Sequence, residues 1–178
     1  MASAAGPLIG IPDEALDLRI EVGPDRMARI IRLAARAGQA PPAGDVSEPS
    51  GALASAAPPL VDAALPLLDV VLAGEGKAWS GNRYCESEAG GRFRYVGHER
   101  ADRAGGWREL RVDLADPVSG LRAEVFYRLL AGRGALRGWV RLTNAGPGPV
   151  TVESVTSFLC GGLSSGSADR AAPGGIDR

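Results

Sequence analysis

Lysine is almost missing from this chain: Lys77 is the only one, so the 20 basic residues are nearly all arginine, set against 21 acidic residues. That balance leaves no net positive field for nucleic acid or an anionic membrane. Abundant Ala, Gly and Pro beside the arginine suggest a GC-rich coding sequence more than a binding surface. Histidine is equally scarce, with His98 alone, and the two cysteines, Cys85 and Cys160, belong to no C-x-x-C or Cys/His cluster. Zinc and thiol-exchange chemistry therefore lack their usual ligand spacing, and no metal site is expected. A Cys85–Cys160 disulfide stays open on the sequence, against the reducing compartment expected below. Long apolar runs are missing too. The longest, Val61 to Ala73, is broken by Asp62, Pro66 and Asp69 and falls short of the about 20 residues a spanning helix needs. MASAAGPLIG has neither a positive leading region nor a sustained apolar core, so no secretory signal is read and a cytoplasmic location is expected. Gly74-x-Gly76 follows a strand-like run without the third glycine and helix of a dinucleotide fingerprint, and no phosphate-loop motif occurs. No cofactor is expected.

What is present is strand periodicity. Leu16, Leu18, Ile20 and Val22 alternate with Asp17, Arg19 and Glu21, and Gly23-Pro24-Asp25 then turns the chain. Met27 to Leu33 fits either a returning strand or a helix. Strand character resumes in Leu67, Leu68, Val70, Val71 and Leu72, and again where Arg92, Arg94 and Val96 alternate with Phe93, Tyr95 and Gly97. The clearest stretch runs from Trp107 to Leu159 as four segments. Leu110, Val112 and Leu114 form one row. The turn Asp116-Pro117-Val118-Ser119-Gly120 leads to Leu121, Ala123, Val125, Tyr127 and Leu129, with Arg122, Glu124 and Arg128 opposite. Gly132-Arg133-Gly134 leads to Leu136, Val140 and Leu142, and Thr143 to Pro147 precedes Val150, Val152 and Phe158. Short strands separated by turn signals predict an all-β, antiparallel sandwich built from meanders.

Two stretches depart from this pattern. Residues 37–59 are rich in Ala, Gly, Pro and Ser with little apolar periodicity, and 161–178 carry only Leu163 and Ile176 as sizeable apolar residues. Both are expected to be disordered, leaving a sandwich within 1–160. A tail of that composition straight after a strong strand suggests truncation or a frame change within a longer coding sequence.

Four collinear phrases carry a resemblance. They are LPLLDVVLAGEGKAWSGNRY (65–84), FRYVGHE (93–99), WRELRVDLADPVSGLRAEVFYRLL (107–130) and LRGWVRLTNAGPGPVTVESVTSFL (136–159). The strand, D-P-x-x-G turn, strand unit and the following V-R-L-T-N-x-G segment are the most distinctive. Together the phrases cover roughly two-thirds of the chain, and they resemble the N-terminal β-sandwich of glycoside hydrolase family 36, the microbial α-galactosidases. The resemblance implies an enzyme with a supersandwich, a (β/α)₈ barrel bearing an aspartate nucleophile and an aspartate acid/base, and a C-terminal β-domain. Its reaction would be retaining hydrolysis of terminal α-galactosides, which needs two carboxyl groups about 5 Å apart. No barrel segment exists here. Lys77-Ala78-Trp79 continues with Ser80-Gly81, so it is not the K-W-D-type nucleophile segment the family implies. The expected role is therefore noncatalytic: bracing the barrel and contributing to an oligomer in the parent enzyme.

No catalytic residue is assigned, although several side chains invite it. His98 beside Glu99 could move a proton, yet a lone histidine at a strand end more commonly serves hydrogen bonding. Glu75, Glu86, Glu88 and Asp102 are candidate carboxylates in Gly-rich loops, where solvation is the ordinary state of a charge. Trp79, Trp107, Trp139, Tyr84 and Tyr95 could stack on sugar rings, but core packing is the ordinary use of strand aromatics. Trp139 shares a row with Arg137 and Arg141, opposite Leu136, Val140 and Leu142, and faces either solvent or a partner domain. The rival reading is a free-standing carbohydrate-binding or interaction sandwich; a small self-contained sugar-active enzyme of galactose-mutarotase-like architecture would need a base and an acid in one groove.

Overall fold

A computed structural model describes residues 6–36, 65–76 and 87–160. Among these residues there are nine strands, arranged in three antiparallel sheets, and no α-helix. The first sheet orders β1 (Leu8–Ile11), β2 (Leu16–Val22) and β3 (Ala28–Ala35). Alternation decides β2: Leu18, Ile20 and Val22 are buried while Arg19 is exposed. The ambiguous segment after it is a strand. Gly23 accepts from the Arg26 N–H at 2.9 Å, Asp25 accepts from the Met27 N–H at 3.0 Å, and the hairpin closes β3 onto β2. β1 has only four residues, too few for a periodicity to declare itself, and was not read from the sequence.

The second sheet pairs β4 (Val70–Leu72) with β9 (Val152–Val155), and a bridge between Arg29 and Pro66 ties its approach to β3. The third is a meander of β5 (Arg94–Arg103), β6 (Trp107–Ala115), β7 (Leu121–Leu130) and β8 (Ala135–Asn144). A 3₁₀ turn over Gly90–Arg92 precedes β5, and the register slips between Tyr95 and Gly97, so the uniform alternation expected across 92–97 is broken at Val96. The fourth segment of the 107–159 stretch, now β9, leaves the meander and pairs with β4 more than 80 residues earlier. Local alternation carries no information about such a distant partner.

The core-facing rows of all three sheets form one buried cluster. Leu110 and Val112 of β6 and the β7 row Leu121, Ala123, Val125, Tyr127 and Leu129 are each at most 1% exposed, meeting Ile9, Leu18, Ile20, Ile30 and Val70. No helix among the described residues is long and apolar enough to cross a membrane. The 37–59 and 161–178 stretches, and with them Trp79, Tyr84, Cys85 and Glu86, lie outside the described residues.

Candidate functional site

The polar features that stand out are buried acids, each already engaged. Asp13, Asp17, Asp69, Glu109 and Asp116 are all buried. Glu109 sits on the outward row of β6, where a solvated side chain is expected; instead Arg103 donates to its Oε1 at 2.6 Å and Arg128 to its Oε2. The Asp17 carboxylate accepts from Arg19 at 3.0 Å and Arg32 at 2.7 Å. Asp116 closes the β6–β7 turn by accepting from the Val118 N–H and the Ser119 hydroxyl, while Arg92 donates to it at 3.0 Å and reaches Glu75 at 2.8 Å. Asp13 accepts from the backbone of Ala15, Leu16 and Gly132. Asp69 takes the Ser87 N–H at 3.1 Å and contacts the Ser87 hydroxyl, joining β4 to the 87–90 turn, and its backbone is hydrogen-bonded to Thr156 beyond β9.

In Asp13, Asp17, Glu109 and Asp116, burial works to raise the pKa, but the donors around each carboxylate outweigh it. For Asp13 they are the backbone N–H groups of Ala15, Gly132 and Leu16; for Asp17, Arg19 and Arg32; for Glu109, Arg103 and Arg128; for Asp116, Arg92, Ser119 and Val118. The net pKa is lowered in all four. These groups are held ionised, the opposite of a general acid, which must keep its proton near neutral pH. The sign sets a pH dependence. A carboxyl lowered in the folded state contributes stability above its ordinary value, 3.8 for Asp and 4.5 for Glu, and loses it as pH falls through the lowered value. Thermal melts should be flat from pH 7 to about 5 and fall progressively below about 4. A melting temperature unchanged down to about pH 2 would contradict the assignment.

Among the described residues, the side chains flagged in the sequence are not assembled into a catalytic pair. His98 lies within β5, not after it; its Nδ1 is 2.7 Å from the Tyr95 hydroxyl, whereas Glu99 pairs with Arg111 at 3.2 Å. Consecutive strand residues point to opposite faces, which separates His98 from Glu99. Glu75 is bound to Arg92, Glu88 is exposed beside Gly76, and Asp102 lies at the far end of β5. A depression of about 410 Å³ brings Asp102 and Glu109 to one surface with Ile11, Arg100 and Arg108. Its Glu109 is the carboxylate gripped by two arginines, which hold it as an anion rather than a proton donor. Among the described residues no group of three or more His, Cys, Asp or Glu side chains could hold a metal. Cys160 is half-buried, and burial pushes its thiol up.

Trp139 faces outward, on the row of Arg137 and Arg141. Phe126, on the outward row of β7 and missed in the sequence, stacks on it at 4.9 Å with planes 2° apart. The Arg128 and Arg137 guanidinium groups lie over the indole at 5.0 and 5.5 Å. With Phe126 and these cations on the ring, Trp139 presents no bare platform for a pyranose. Trp107 opens β6 opposite Leu130, half-buried. The arginine content thus has a structural use that composition alone did not show: guanidinium groups neutralise buried acids and cover aromatic faces.

Against known proteins, a family model described as the glycosyl hydrolase family 36 N-terminal domain matches residues 75–160. That stretch is similar to the family 36 N-terminal domain. It takes in all of β5 to β9, and so the whole meander. No curated protein matches the chain. Among solved structures, the α-galactosidase from Lactobacillus brevis is similar, with 12% sequence identity and a TM-score of 0.48 over 82% of this chain. The chain spans 22% of the length of that enzyme. Among the described residues every buried carboxylate named above has a hydrogen-bond partner, and for Asp17, Glu109 and Asp116 the partners include arginines.

Proposed function

We propose that this chain is the noncatalytic N-terminal sandwich, within residues 1–160, of a cytoplasmic α-galactosidase-like glycoside hydrolase acting on terminal α-galactosides. It would brace the catalytic barrel and the oligomer of the parent enzyme. The family 36 match over 75–160 carries the reading. Supporting it, the buried carboxylates whose pKa values shift are shifted down, toward structural anions, whereas retaining glycosidases need one carboxyl that keeps its proton.

The test is hydrolysis of p-nitrophenyl α-galactoside by the full chain alone, and by a chimera in which residues 75–160 replace the corresponding segment of a family 36 α-galactosidase. No turnover is expected from the chain alone. The chimera should be active, and deleting the segment should abolish that activity. Turnover by these 178 residues alone would overturn the proposal. So would a deletion that leaves the enzyme fully active.

A further inference from the structure

On β5 the core-facing row turns polar. His98 lies opposite Val112, Arg100 opposite Leu110 and Asp102 opposite Arg108, and directly opposed residues share a face. Val112 and Leu110 are fully buried, whereas His98, Arg100 and Asp102 are exposed. At this end of the sheet the core stops at β6, and β5 overhangs it. Beside the overhang runs β1, an edge strand that pairs only with β2 among the described residues. Two adjoining depressions of about 310 and 410 Å³ follow this step and share Ile11, Pro12 and Arg100. The smaller is cationic. Arg19, Arg36 and Arg100 line it against a single acid, Asp17, a local excess of two positive charges in a chain whose net charge is −1. Asp17 does not saturate them. It accepts from Arg19 and Arg32, Arg36 stands 3.8 Å away, beyond hydrogen-bonding reach, and Arg100 forms no ion pair among the described residues. Gly10, opposite Arg19 on the outward row of β1, has no side chain to fill the space between them.

From this we infer that the groove along β1 binds a small hydroxylated phosphate monoester, with the phosphate held by Arg19, Arg36 and Arg100. Each guanidinium carries five N–H donors in a planar fork suited to phosphate oxygens, and the bond to Asp17 leaves donors free on Arg19. The charge selects the ligand class. A phosphate monoester carries nearly two negative charges near pH 7 and presents three acceptor oxygens, matching an excess of two charges and three arginines; a monocarboxylate would leave one charge uncompensated. Asp102 sets the orientation. It lines the larger depression and has no ion-pair partner among the described residues, so it repels an anion there and accepts from hydroxyl groups instead. The organic part of the ligand therefore runs past Pro12 toward Asp102. Such a site acts beside the noncatalytic role proposed above and does not depend on it.

The test is calorimetric titration of the full chain, at low ionic strength and neutral pH, with glycerol 3-phosphate, inorganic phosphate and succinate. Glycerol 3-phosphate should bind more tightly than inorganic phosphate, and succinate more weakly than either. Arg36→Gln and Arg100→Gln should each weaken glycerol 3-phosphate binding by about tenfold or more. Asp102→Ala should erase the preference for the monoester while inorganic phosphate still binds. Arg137→Gln, which removes the same charge beside Trp139 on the outward face of β8, should bind like the parent. Thermal melts establish that the variants are folded, and either groove arginine suffices if the other variant is not. No binding of either phosphate compound overturns the inference, as does an affinity unchanged by the groove substitutions or lowered equally by Arg137→Gln, since the effect is then one of net charge. Succinate binding as tightly as phosphate overturns the ligand class, and glycerol 3-phosphate binding no tighter than inorganic phosphate overturns the role of Asp102 and the monoester with it.

Discussion

Replacing Gly120 with alanine should cost about 3 kcal/mol and lower the melting temperature by about 10 °C. Two separable effects contribute. Gly120 has φ of +76°, a conformation that penalises any L-residue by about 1 kcal/mol. In addition, a Cβ there would stand 2.6 Å from the Gly146 Cα and 2.9 Å from its nitrogen. Those are backbone atoms and cannot rotate aside. The contact holds the β6–β7 turn against the loop that follows β8: Gly120 donates to Asp116 O at 3.0 Å and accepts from the Ala145 N–H at 3.2 Å. Relief would have to move that loop, and with it the path to β9. Gly132→Ala is the control, because φ is +66° but nothing lies within 4 Å of the added methyl, so only the conformational part, about 1 kcal/mol, should appear. Denaturant melts of both variants give the comparison. Equal losses would mean that the Gly120–Gly146 contact is absent in solution.

The same turn shows how far the sequence could be read. D-P-V-S-G between two alternating runs locates a reversal because each residue has a local reason to be there, and the β7 row it sets was legible to the residue. β2, the turn after it and the period of β6 and β8 were legible for the same cause: one face is buried, so apolar side chains recur every second position, whereas the spacing over Met27 to Leu33 fitted a helix as well as the strand β3. What escaped depends on neighbours distant in sequence. β9 looks like the next arm of the meander until its partner, Val70–Leu72, is known. Glu109 occupies a solvent-row position and is buried only because Arg103 and Arg128 close over it from β5 and β7. Phe126 breaks the polar row of β7 for a reason that lies on β8, in the ring of Trp139. The candidate site follows the same logic. His98 and Glu99 are adjacent in sequence, and strand geometry is what sends them to different partners.

Tyr127 gives two substitutions of opposite sign. It is 0% exposed, and among the described residues its hydroxyl has no hydrogen-bond partner; burial pushes the phenol well above its ordinary range. A buried hydroxyl left unsatisfied carries a desolvation penalty of about 1–3 kcal/mol. Tyr127→Phe keeps the ring, its fit between Leu110 and Gly138 in register and its edge contact with Phe158, and removes only the penalty. It should therefore stabilise the fold by about 1 kcal/mol. Tyr127→Ala removes the ring from the most enclosed row of the core and should cost about 3–5 kcal/mol. It also withdraws the surface on which Phe158 rests, so exchange should rise first around β9 and the segment after it. Denaturant melts measure both signs. A Tyr127→Phe variant less stable than the parent would show that the hydroxyl is hydrogen-bonded in the folded protein.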